Sequence, residues 1–181
     1  GRRVLVVVNG SSPEGMAVAN AYVVARKIPR DNVVTVGTTQ GEELSLTEYR
    51  SQIEYPVLKV LKRLKYPIDY IVTTHGMPIR IGDEGGYSVD AFLAQIDRPM
   101  QEIEQNGFAV KDANQIRGAV SPYFGKDEHF SHAKFGFYLV TRITGSSPEA
   151  AMKLIDRSLK AKPVKGPFLL DSQPLKPKDG G

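Results

Sequence analysis

Val4-Leu5-Val6-Val7-Val8-Asn9-Gly10-Ser11-Ser12-Pro13-Glu14 decides the fold. Val4 to Val8 are apolar and mostly β-branched without alternation, which predicts a strand buried on both faces. The pentapeptide that follows carries its own helix start. Ser12 suits the N-cap, Pro13 the first helical position, and Glu14 the first turn, where the helix dipole favours an anion. The same Gly-Ser-Ser-Pro-Glu returns at 145–149, after Phe137-Tyr138-Leu139-Val140-Thr141-Arg142-Ile143-Thr144 and before a second helical pattern. Two copies of one strand-to-helix turn predict an α/β sheet. Ligands of open α/β sheets bind outside the carboxyl ends of the strands, so the repeat also locates the expected working edge.

Working outward, residues 3–8 read as strand one and 16–27 as a helix, with Val18, Ala19, Tyr22, Val23 and Ala25 as its apolar stripe. Residues 33–36 read as a second strand. A long helical pattern over 45–64 is capped by Ser45 or Thr47, and Pro56 should kink or split it. Residues 69–74 form a third strand that ends in His75-Gly76. Residues 77–134 break the alternation. They hold a short strand at 78–81, a turn-rich loop Gly82-Asp83-Glu84-Gly85-Gly86, a helix over 89–96 capped by Ser88, and turns at Asn106-Gly107 and Ser121-Pro122. An irregular stretch of that length is usually functional. A fourth strand at 134–143, a helix at 149–160 and a fifth strand at 166–171 follow. The Pro/Gly/Lys-rich tail 174–181 reads as flexible. Right-handed crossovers then give a mostly parallel five-stranded sheet with helices on both faces. It forms one domain over 1–173, with 77–134 as an insertion between strands 3 and 4.

The 181 residues are 41% hydrophobic and 24% charged, which is ordinary for a globular domain. No apolar run approaches the ~20 residues of a membrane span. There is no cysteine, which excludes disulfides, thiolate zinc sites and cysteine nucleophiles. The net charge is +4 and the pI 9.2, with Lys and Arg dispersed along the chain. The densest group, Lys59, Lys62, Arg63 and Lys65, reads as the solvated face of an amphipathic helix. Neither a concentrated basic patch nor a set of stacking aromatics stands out, so the chain carries no specific nucleic-acid signal. P-loop, G-x-G-x-x-G and G-x-S-x-G motifs are absent. The opening at Gly1, almost directly into a strand, reads as a cleaved or trimmed start.

The carboxyl edge should display Asn9, Thr38, His75, Thr144 and Asp171, with Arg80, Asp90 and Arg142 nearby. His75 is the leading catalytic candidate. It follows a buried strand, precedes a glycine that lets the backbone turn, and carries the side chain best suited to proton transfer near neutral pH. Asp90, in the first turn of a short helix, serves either as capping charge or as a carboxylate aimed into the cleft. Asp171 ends the last strand, where doubly wound enzymes often place an acid. Asn9, Arg80 and Arg142 are the substrate-binding candidates, the arginines as anion holders. His129 and His132 are three residues apart and with His75 could make a three-histidine divalent-metal site. The spacing supports that only weakly, and no other cofactor is implied. The two Ser-Ser-Pro-Glu turns could hold anions at helix N-termini. Glu14 and Glu149 already occupy that field, so capping is the better reading.

A strand followed by His-Gly resembles caspase-like peptidases. A caspase-like or flavodoxin-like three-layer sandwich is therefore the expected architecture. Such peptidases need a cysteine at the end of the next strand, and its absence excludes that chemistry here. The order of segments also resembles an uncharacterised bacterial family that occurs with exosortase and PEP-CTERM sorting systems. The resemblance is carried by residues 4–13, 41–49 (Gly-Glu-Glu-Leu-Ser-Leu-Thr-Glu-Tyr), 70–81, 88–96, Pro122-Tyr123-Phe124, and Tyr138-Leu139-Val140-Thr141-Arg142 with the helix from Gly145 to Leu159. It implies an extracytoplasmic setting in the periplasm or envelope, and envelope or surface-sorting partners. It also implies a family pattern that continues past Asp171, so that this chain is its N-terminal part. The family more often has lysine where this chain has His75, and it supplies no catalytic residue to carry over. The expectation is an envelope-associated α/β domain with a hydrolytic cleft at the carboxyl edge, served by His75, Asp90 and Asp171. The alternative is a non-enzymatic binding module that uses 77–134 as its recognition surface. Convergence of the three candidate residues separates the two.

Overall fold

In chain order the strands are β1 (Val4–Asn9), β2 (Val33–Val36), β3 (Glu43–Leu44), β4 (Tyr70–Thr74), β5 (Arg80–Ile81), β6 (Tyr87–Ser88) and β7 (Leu139–Ile143). The computed structural model describes residues 1–82, 87–98 and 121–162. Four strands pair in parallel, in the order β2-β1-β4-β7. The register sets Val6 beside Val33, Leu5 beside Ile71, and Ile71 beside Val140. A small mixed sheet, β3-β5-β6, lies apart from it.

Strand alternation sends the apolar run of β1 to two cores. Leu5 and Val7 share one with Tyr49, Ile53, Val57 and Phe92. Val6 and Val8 share the other with Ala19, Ile28 and Val72. The first core belongs to α2 (Leu46–Glu48), the π-helical turn Tyr49–Glu54, α3 (Tyr55–Arg63) and α4 (Val89–Ala94). The second belongs to α1 (Pro13–Arg26). Helix α5 (His132–Phe135) precedes β7, and α6 (Pro148–Lys160) docks on α1 through Val18, Ala151 and Ile155. Helices thus cover both faces, which is why β1 can be apolar throughout. Among the described residues, no helix is long and apolar enough to cross a membrane.

Both pentapeptide copies form the expected caps. The Ser12 hydroxyl accepts from the Gly15 N–H at 3.0 Å, and the Ser147 hydroxyl from the Ala150 N–H at 3.2 Å. Three expectations need correction. Pro56 does not split the long helix. It has no N–H to offer the ladder, and the turn before it widens instead, with the Tyr55 N–H bonding to Arg50 O. The fourth strand begins at Leu139 rather than at 134. Lys134 lies in α5, which ends at Gly136 in the left-handed region (φ 70°). The short helix after Ser88 stops at Ala94. The fifth strand at 166–171 and the tail 174–181 lie outside the described residues.

Candidate functional site

From β1 the chain steps to β2 on one side and later to β4 on the other, so the sheet's switch point opens between the carboxyl ends of β1 and β4. Backbone contacts pack this crevice tightly. The fully buried Asn9 amide donates to Thr39 O at 2.8 Å and Gly76 O at 2.9 Å. Its carbonyl accepts from the N–H groups of Ser11 at 3.0 Å and Thr38 at 3.4 Å. Asn9 therefore pins two loops and has little capacity left for a ligand. Gly15 and Gly76 allow the closest approach. A Cβ on Gly15 would sit inside 3.0 Å of the His75 carbonyl oxygen, and one on Gly76 (φ 78°) inside 3.0 Å of the Ser12 hydroxyl.

That approach sets His75 between two polar partners. Its Nδ1 lies 3.3 Å from Thr144 Oγ1, just past β7. Its Nε2 lies 3.4 Å from Glu14 Oε2, in the first turn of α1. The imidazole is 23% exposed, and Thr144 and Glu14 are open to solvent. A hydroxyl and a carboxylate thus approach the two ring nitrogens of one imidazole, at the ends of β7, β4 and α1. A hydroxyl and a carboxylate on either side of an imidazole are groups from which nucleophilic catalysis can be built. The Nδ1–Oγ1 contact is longer than a tight hydrogen bond of about 2.6–3.2 Å, and the Nε2–Oε2 approach is an ion-pair distance.

Asp90 and Arg142 meet each other instead of His75. The Arg142 guanidinium grips the carboxylate through Nε (3.0 Å) and Nη2 (2.8 Å). It also donates to Met77 O at 2.8 Å and Pro78 O at 2.9 Å. Thr73 Oγ1 adds a bond to Asp90 at 3.2 Å. Arg142 is 13% exposed and spends nearly all its donors this way, holding the turn that follows His75-Gly76. Asp90 belongs to α4, on the sheet face opposite α1, so the convergence with His75 expected of an enzyme does not occur for this pair, and any hydrolytic reading rests on a different carboxylate, Glu14. Burial pushes the nearby Tyr49 phenol well above its ordinary pKa, and the Glu54 and Asp90 charges push it further. Arg80 is exposed and pairs with Glu43 at 2.7 Å and Glu42 at 3.7 Å beside the small sheet. Asp171 lies outside the described residues.

The three histidines do not assemble. His132 stands near the other end of β4. Its N–H donates to Asp69 at 2.9 Å, its ring stacks on Tyr138 at 3.9 Å, and its Nε2 lies 2.7 Å from Asp97. Roughly 20 Å of strand separates Asp69 from His75, at ~3.3 Å per residue. No group of three or more His, Cys, Asp or Glu fit to hold a metal occurs among the described residues. Burial alone would raise the Asp69 pKa. The bonds from Arg3 and the His132 N–H outweigh it and hold the carboxyl below its ordinary range. Beside it lies a cleft of about 370 Å³ lined by Leu61, Leu64, Lys65, Tyr66, Ile68 and Tyr138 among others.

Sequence reasoning placed Thr144 at the edge but gave it no role, and read Glu14 only as a capping charge. The repeat was the available signal. Thr144 immediately precedes one copy and Glu14 closes the other. Comparison with protein-family models, curated proteins and solved structures returned no match.

Proposed function

We propose that the carboxyl edge is a hydrolytic site of the acyl-transfer type, with Thr144 as nucleophile, His75 as base and acid, and Glu14 as the residue that orients His75. The observation that carries this is the approach of Thr144 and Glu14 to the two ring nitrogens of His75. The neutral imidazole holds its proton on Nε2, toward Glu14, and turns the Nδ1 lone pair to Thr144. Oγ1 attacks an ester or amide carbonyl as Nδ1 takes its proton. Nδ1 then returns that proton to the departing alcohol or amine, leaving an acyl-threonine ester. Water attacks the ester with His75 again as base, and the acid leaves. The N–H groups of Gly145 and Ser146, which make no backbone bond among the described residues, follow the nucleophile and suit the developing oxyanion.

The Arg142–Asp90 pair supports this site from below by fixing the turn after Gly76. The same reading takes 166–171 as a fifth strand beside β7. That would make the sheet order flavodoxin-like and bring Asp171 to this edge. The envelope setting is supported by the family resemblance alone.

The test is labelling with a fluorophosphonate and turnover of activated esters. Modification should map to Thr144 and vanish in Thr144→Val. His75→Ala should lower turnover by ~10²–10⁴-fold, the usual contribution of a general base. Glu14→Gln should cost less, with a changed pH profile. Turnover that survives Thr144→Val unchanged, or a panel with no turnover and no labelling, removes the reading. It would leave a structural clamp and the binding-module alternative.

A further inference from the structure

The parallel topology sorts charge onto the two ends of the sheet. Helices α1, α3 and α6 all finish at the amino edge, where their dipoles favour cations. Four segments, 1–3, 26–32, 62–69 and 157–162, meet there through direct contacts. Gly1 abuts the backbone of Arg26 and Lys27. Asn32 donates to Arg2 O at 2.9 Å and accepts from Tyr66 Oη at 2.5 Å. Arg26 donates to Ser158 at 2.8 Å. These segments hold eleven Lys and Arg against Asp31 and Asp69, and Asp69 is buried against Arg3. The adjoining stretch 126–135 is balanced, with Lys126 and Lys134 against Asp127 and Glu128. The carboxyl edge has the opposite sign. Segments 9–14, 37–48, 74–82, 87–90 and 142–149 hold six acids against Arg80 and Arg142.

We propose that the amino edge docks on an anionic phospholipid bilayer. Basic side chains on one face sum their attraction to such a surface within a Debye length of ~8 Å. Two exposed apolar side chains favour lipid over nucleic acid. Val24, in the last turn of α1, is 79% exposed, and Leu159, in the last turn of α6, is 47% exposed. Apolar groups among cations suit the headgroup boundary. Tyr66, an aromatic at this edge, lies under the Arg2 guanidinium at 4.7 Å, so this face of its ring is not free to stack on a base. Docked this way, the protein turns its carboxyl edge, with His75 and Thr144, away from the bilayer.

The experiment is co-sedimentation of the full chain with vesicles of phosphatidylcholine alone, or with roughly a third phosphatidylglycerol, at low and high salt. Binding should need the anionic lipid and be lost at high salt. The exposed pair Lys27→Gln/Arg30→Gln should lower partitioning about 25-fold, at on the order of fivefold per basic residue near the surface. Lys153→Gln, midway along α6 and away from its last turn, should change it far less. Val24→Ser/Leu159→Ser should weaken binding and keep its salt slope. Circular dichroism confirms that each variant is folded. Equal partitioning to both vesicles, no binding at low salt, or indifference to Lys27→Gln/Arg30→Gln overturns the proposal. Salt-sensitive retention of DNA without vesicle binding overturns it in favour of nucleic acid.

Discussion

Gly15→Ala tests whether α1 is seated against the His75-Gly76 turn as described. In an exposed helix interior this change would stabilise by about 1 kcal/mol, because alanine is the better helix former. Here the new methyl would enter the space of the His75 carbonyl, inside 3.0 Å. That neighbour is backbone and cannot rotate away. The next residue's carbonyl is also held by Asn9 at 2.9 Å. Overpacking of this kind costs ~1–3 kcal/mol. With the helix gain of about 1 kcal/mol subtracted, the expected loss is ~0–2 kcal/mol, or up to roughly 8 °C in Tm for a chain of this size, where Gly37→Ala should gain. Gly37→Ala is the matched control. Nothing lies within 4 Å of its added Cβ, and its φ is not positive, so it should gain ~0.4–1 kcal/mol. Urea midpoints and thermal melts of both variants decide the matter. A Gly15→Ala variant that gains stability as Gly37→Ala does would refute the seating of α1. It would also remove the reason Glu14 reaches His75.

Two further predictions concern the charged pairs. Arg142→Met should cost on the order of 3 kcal/mol by stranding the Asp90 carboxylate, and Arg142→Met/Asp90→Leu should recover much of that. Denaturant titrations that show additive losses would mean the two side chains do not act as a pair. The lowered pKa of Asp69 makes it a source of acid sensitivity. Its contribution is complete above the ordinary carboxyl pKa and is lost as pH falls through the lower folded value. Asp69→Asn should therefore reduce stability at neutral pH and flatten the acid limb of the stability–pH curve. An unchanged acid limb would count against the Arg3–Asp69 contact.

The strand-to-helix turns were legible because capping is local. Ser12, Pro13 and Glu14 lie within one helical turn, and so do Ser147, Pro148 and Glu149. The position of His75 was legible from strand and glycine alone. Its partners were not. Glu14 and Thr144 are 61 and 69 residues away, and only the order β2-β1-β4-β7 brings them to one place. The Arg142–Asp90 pair hid for the same reason, across 52 residues. So did the charge separation. Lys and Arg that are scattered in the chain become one face once three helices end on the same side. Strand β3 was missed because two residues are too few to show a period.

The π-helical turn Tyr49–Glu54 has a consequence for how the chain tolerates changes in length. Tyr49, Ile53 and Val57 are all buried against one sheet face, at intervals of four. An α-helix turns about 100° per residue, so side chains four apart drift steadily around its axis. A wider turn closed by i→i+5 bonds drifts the other way. Alternating the two keeps the three side chains in line, as a vernier corrects a scale. One residue deleted from 50–54 could be absorbed by reverting to α geometry, whereas one deleted from 57–61 would swing the rest of α3 off the sheet.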